Sequence, residues 1–174
     1  IIYPFYLLKY LNIPYFIILD KDFFIHYING SLEMSRDNQG LPKYRYEFKK
    51  ENLKIIKELI TKEEDRNKLL RLMKSNHSKT LDLLERYNII LMNYNLEMDL
   101  ICSKKAVEIY CNKFDMKINF WKENQKVLLV KHHKRIKRIE NIMYVLKKMS
   151  NRNLPNSYKR IRKLGRNLKG KLLR

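Results

Sequence analysis

Glycine and proline are scarce in this 174-residue chain, four of each. That scarcity excludes a collagen-like, linker or low-complexity protein. Cysteine is nearly absent. Cys102 and Cys111 stand nine residues apart, which matches neither a CxxC redox pair nor a zinc-ligand spacing. They read as reduced, core-packing residues of an intracellular protein. Acids are few, 18 against 38 Lys and Arg, so the net charge is +20. A long membrane-spanning run is also missing. Residues 1–19 are apolar, but Pro4, Lys9, Asn12 and Pro14 interrupt them. No GxxxxGK[ST] phosphate loop occurs. Ser103 has no His or acid at a spacing that suggests a nucleophilic triad.

What remains can bury a core, with 45% hydrophobic and 11% aromatic residues. The length suits one domain, or one domain with a helical appendage. A domain this basic is expected to meet a polyanion, first of all nucleic acid. The most informative stretch is Ile-Pro-Tyr-Phe-Ile-Ile-Leu-Asp-Lys-Asp at 13–22. A short unbroken apolar run fits a strand buried on both faces of a parallel sheet. If the strand continues through its end, Asp20 and Asp22 project together, two residues apart. Open α/β sheets place ligands at that carboxyl end. Paired carboxylates there suit a hard cation, Mg²⁺ or Mn²⁺. The plainer reading is that the two acids end a strand and begin a turn.

Along the chain, residues 1–11 read as a short helix and 23–27 are ambiguous. Asn29-Gly30 signals a turn, and 31–46 reads as a polar loop. Residues 50–73 are helical in character, as one helix or two. Ser78 can cap a further helix that ends near Tyr87. Residues 88–92, Asn-Ile-Ile-Leu-Met, are a second apolar run that follows a helix, as a βαβ unit requires. Residues 100–114 are expected to be helical and 126–130 to form a third strand. Residues 136–149 are expected to form an amphipathic helix through Ile136, Ile139, Met143 and Leu146. Residues 157–173 read as a basic helix. From 131 onward sixteen Lys or Arg face one acid, Glu140. That bias suits a nucleic-acid surface or simply a solvated helical face.

The order is strand, acid pair, long helical connection, strand, acid. It would bring Asp20, Asp22 and Glu97 to one sheet edge. Such a set can hold divalent ions that polarise a phosphate and activate water. Here the chain resembles a known family. Leu-Asn-Ile-Pro-Tyr-Phe-Ile-Ile-Leu-Asp-Lys-Asp at 11–22 is similar to a conserved block of the Toprim domain in OLD-family (overcoming-lysogenization-defect) nucleases. Residues 88–92 with Asn95-Leu96-Glu97 resemble the next block, although Asn95 departs from the usual residue. Residues 131–149 with Leu154-Pro155 resemble the closing basic helix.

The resemblance implies an α/β fold with a Toprim-like parallel sheet flanked by helices and a basic helical C-terminal segment. It divides the chain into a partial Toprim-like domain at 1–130 and a basic extension at 131–174. It implies a metal-dependent endonuclease that holds Mg²⁺ or Mn²⁺ on Asp20, Asp22 and Glu97. Lys134 is the catalytic candidate and Lys131 the second. The implied partners are nucleic acid, DNA or RNA, and an ABC-type ATPase, fused or separate, in an oligomeric anti-phage defence system in the cytoplasm, without a membrane. A Toprim domain opens with a strand and a Glu upstream of this point. The expectation is therefore a C-terminal fragment whose catalysis is incomplete alone. The rival from another class is a non-catalytic basic RNA-binding or ribosomal structural protein.

Other residues carry two readings. His132-His133 could ligate metal, but adjacent positions diverge on a helix, which suits a basic surface or phosphate contact. Trp121 with Phe120 could stack a base or pack. Asp99 is either a fourth metal ligand or a helix N-terminal charge. His26 and His77 read as structural, and Glu33 and Asp37 as solvated.

Overall fold

The computed structural model describes residues 7–8, 10–75, 77–117 and 120–172. Strands β1 (Ile17–Leu19) and β4 (Ile89–Leu91) pair in parallel, with Ile17, Ile18 and Leu19 opposite Ile89, Ile90 and Leu91. Strands β2 (Ile25–Tyr27) and β3 (Tyr44–Phe48) form a separate antiparallel pair. Helices α1 (Lys50–Leu59), α2 (Glu63–Ser75) and α3 (His77–Glu85) carry the chain from β3 to β4. After β4 come α4 (Leu96–Ile101), α5 (Lys104–Lys113), α6 (Trp121–Lys131), α7 (His133–Ile136), α8 (Ile139–Lys148) and α9 (Asn156–Leu172). Among the described residues no helix is long and apolar enough to cross a membrane.

The β1–β4 pair is a wall between two cores. Side chains alternate across a strand. Accordingly Leu19, Ile89 and Leu91 join Ile56, Ile60, Leu69 and Leu84 from the helices before β4. Ile90 and Met92 join Leu100, Val107, Leu128, Ile136 and Val145 from the helices after it, with Ile18 packed against them. All three β4 side chains are buried, which explains the unbroken apolar run. Each fully buried Ile or Leu contributes roughly 1.5–3 kcal/mol. This is a mixed α/β fold with helices on both faces of a small parallel sheet.

Local chemistry sets the strand ends. Asn88 takes a left-handed φ of 58°, tolerable for Asn. It closes the turn after α3 through its N–H to Glu85 O at 3.0 Å. Its own carbonyl accepts the Ile17 N–H at 2.8 Å, which starts the parallel ladder. The Met92 N–H donates to Leu19 O at 2.9 Å and ends it.

Several elements differ from expectation. β1 stops at Leu19, and a 3₁₀ turn over Lys21–Phe23 follows. The acid pair therefore does not lie on one strand face. Residues 44–46 belong to β3, not to a loop. Ser78 lies inside α3. The proposed third strand at 126–130 lies in α6. Asn124 and Leu128, and Gln125 and Leu129, are four apart and bury one helical stripe, while Val130 points outward. A four-residue apolar run cannot itself separate strand from helix turn. The expected helix at 100–114 is two, and Ser103 begins the second. The helix expected from Ile136 is broken at Arg138, whose ψ of 131° is extended. The break resets the phase, so α8 buries Ile142 and Val145 and leaves Ile139 and Met143 exposed. Cys111 is buried as expected, but Cys102 is exposed. Residues 1–6 of the expected first helix lie outside the described residues.

Candidate metal and nucleic-acid site

Asp20 sits one residue past β1, in extended conformation. Its position is fixed from both sides. The Lys21 N–H donates to Tyr94 O at 2.8 Å, beyond β4, and the Phe23 N–H returns to Asp20 O at 3.0 Å. Asp22 lies within the turn. Its Oδ2 accepts the Tyr27 hydroxyl at 2.8 Å, and its carbonyl accepts Lys49 Nζ. Asn52 Nδ2 donates to Phe23 O and secures the same turn from α1. Asp20, Asp22, Lys49, Asn52 and Leu96 line a cleft of about 470 Å³ at the carboxyl end of β1.

The segment after β4 brings the second set of acids. Asn95 caps α4, its side chain accepting the Met98 N–H at 2.8 Å. Glu97 stands in the first turn, and its Oε1 lies 3.4 Å from His133 Nε2. That nitrogen is buried without a hydrogen bond of good geometry. Asp99 is buried, and its carboxylate accepts the Asn93 and Tyr94 N–H groups at 2.9 and 2.7 Å. It therefore staples the turn before α4. That is more than a charge at a helix end.

These acids act on one another. Partial burial, then Asp22, Glu97 and Asp99, push the Asp20 carboxyl from 3.8 up to about 6. Burial lowers the Lys21 ammonium, and Asp99 opposes the shift. Lys21 Nζ also stands 5.1 Å from the centre of the Tyr44 ring. Tyr27 and Tyr44 stack at 5.2 Å beside the acids. Burial raises both phenols, with the acids adding to the effect. Among the described residues, no three His, Cys, Asp or Glu side chains are grouped closely enough to hold a metal ion. The donor chemistry nonetheless fits a hard cation. A carboxylate raised by partial burial and by three other carboxylates is relieved by positive charge, and oxygen donors suit Mg²⁺ or Mn²⁺.

Lys131 ends α6 and Lys134 lies in α7, both exposed. They line a second cleft with His132, His133 and Arg135, not the cleft of Asp20. The cationic side chain in the Asp20 cleft is Lys49, which sequence reasoning missed. In a run reading Phe-Lys-Lys-Glu at 48–51, nothing marks one lysine over the next. His133 was missed as a neighbour of Glu97, since the two meet only through the packing of α7 near α4. Asp37 is not merely solvated, for its Oδ1 accepts the Gln39 and Leu41 N–H groups, each at 2.8 Å. Trp121 opens α6, half-buried, beside an exposed Phe120. The His77 side chain lies outside the described residues. Comparison with protein-family models, curated proteins and solved structures finds no match.

Proposed function

We propose that this chain is the metal-binding part of a Toprim-like nuclease that cleaves phosphodiester bonds in nucleic acid. The observation that carries the reading is Asp20. It stands at the carboxyl end of a parallel strand, raised to about 6 in a field that includes Asp22 and Glu97, with Glu97 just past the neighbouring strand. In this reading Asp20, Asp22 and Glu97 hold Mg²⁺ or Mn²⁺. The ion, when bound, supplies Lewis-acid polarisation of a phosphate and activation of water. The protein's own groups do the rest. Tyr27 orients the Asp22 carboxylate, Lys49 holds the Asp22 backbone and lends positive charge to the cleft, and Asn95 and Asp99 fix the turn that presents Glu97. Coupling to an ABC-type ATPase and a role in defence against phage belong to the proposal through the family resemblance alone.

A second reading has its own support. The whole chain carries +20. That charge favours a basic protein that holds RNA without cutting it.

The test is cleavage of labelled DNA and RNA by the chain with Mn²⁺, compared with Asp20→Asn and Glu97→Gln. The nuclease reading expects weak Mn²⁺-dependent cleavage, read with the protein in excess over substrate, that falls to background in either variant. Binding without cleavage by all three proteins favours the second reading.

A further inference from the structure

The cleft that contains Lys131 and Lys134 shares no lining residue with the Asp20 cleft and has a chemistry of its own. Its charged rim comes from two segments distant in sequence: Glu33 and Arg36 from the loop before β3, and Lys131, His132, Lys134 and Arg135 from the α6–α7 junction. Leu129 and Val130 complete a space of about 450 Å³. The two segments are held in register. Gly40, at φ +84°, packs closely on α6, since a Cβ there would meet Leu129 Cβ at a tight 3.3 Å. Arg36 Nη1 donates to Gly40 O at 2.7 Å, so its guanidinium is anchored against α6. Arg135 lies over the Phe114 ring at 3.9 Å, which fixes its plane and leaves its edge donors free of that ring.

The positive charge here is uncompensated. Four cations face one carboxylate, and among the described residues none of the four forms an ion pair. Arg160 shows the contrast, because Asp82 and Glu85 neutralise it. The His132 imidazole reports the same field. Burial pushes its pKa down, and Arg135 and Lys131 push it further. Walls of fixed protein dipoles and apolar side chains around like charges concentrate a field that attracts anions.

We propose that this cleft is a binding subsite for a backbone phosphate of nucleic acid, held by Arg36, Lys131, Lys134 and Arg135. Guanidinium groups match phosphate oxygens in pairs, and lysines add point charges. His133 lines it and also stands 3.4 Å from Glu97, so the site adjoins the acid cluster. That the bound strand continues towards Asp20 rests on the nuclease reading. Phosphate capture itself does not. On this account Lys131 and Lys134 position the strand and take no part in chemistry.

The test is fluorescence anisotropy with a labelled single-stranded DNA of about twelve nucleotides, in EDTA so that no cleavage occurs, between about 50 and 200 mM salt. Lys131→Gln with Lys134→Gln is compared with Lys163→Gln and Arg166→Gln on α9, an equal reduction in charge. All four side chains are exposed, so folding is unaffected. The cleft pair is expected to weaken binding about tenfold or more and to flatten the log–log salt slope by about 1.4, about 0.7 for each lysine withdrawn from a phosphate. The control pair is expected to weaken it by less than about threefold. Equal weakening by both pairs, or none by the cleft pair, would overturn the proposal. A failed nuclease reading shows in the cleavage assay and a failed phosphate site in this one.

Discussion

At Asp20 partial burial and then three other carboxylates act on one carboxyl group. The group is held at about 6 against an ordinary 3.8. Between those values the folded chain keeps a proton that the unfolded chain releases. Stability is therefore fully present below pH 3.8, falls as pH rises, and the loss is complete above about 6. Asp20→Asn is expected to remove that loss. Asp20 is exposed, so solvent screens much of the effect, and the gain at pH 8 should be only about 1 kcal/mol, a rise of about 2–4 °C in Tm. Near pH 4 the gain should vanish. Thermal melts at the two pH values check it. A variant that gains nothing at pH 8 would mean that neither burial nor the neighbouring acids penalise the charged form there. That acids follow both parallel strands, Asp20 and Asp22 after β1 and Glu97 after β4, was legible in the sequence because two apolar runs each lead to acids. Lys49, Asn52 and His133 were not, because their roles arise from tertiary contact in a chain where lysine and asparagine are everywhere.

Among the elements, the short turn from β4 into α4 decides where Glu97 stands. Asn95 caps the helix, and Asp99 holds the two N–H groups before it. Asn95→Ala should cost about 1 kcal/mol, the usual value of such a cap, and Asn95→Asp should restore most of it. Chemical denaturation measures both. Strands β1 and β4 were readable because burial on both faces leaves continuous apolar runs. β3 was hidden although Tyr44, Tyr46 and Phe48 alternate with Arg45 and Glu47, since a polar, Gly- and Pro-containing stretch precedes it. The buried face of α8 was misjudged for a different reason. A one-residue break at Arg138 shifts helical phase, and no periodicity spans such a break.

On the scale of the whole molecule, segments on either side of residue 131 share a core. Ile136, Val145, Leu154 and Tyr158 pack with Met92, Leu100 and Val107. The basic C-terminal helix reaches the acid site directly, as the Tyr158 hydroxyl donates to Leu96 O at 2.9 Å. Tyr158→Phe should cost about 0.5–1.5 kcal/mol, the net value of one hydrogen bond. Hydrogen exchange should then rise at the start of α4, next to Glu97. Net charge was legible from composition, but its sorting was not. The acids around Asp20 and the cations around Lys131 and Lys134 line separate clefts, and His133, in the second, stands 3.4 Å from Glu97.

The central claim is that Asp20, Asp22 and Glu97 act together on a divalent cation. The most direct measurement is a Mn²⁺ titration followed by electron paramagnetic resonance, on the chain and on its Asp20→Asn, Asp22→Asn double variant at pH 8. The account predicts saturable binding by the chain and affinity at least about tenfold weaker in the variant, since oxygen donors of negative charge set the affinity for hard cations. Equal binding by both, or no binding by the chain, would contradict it.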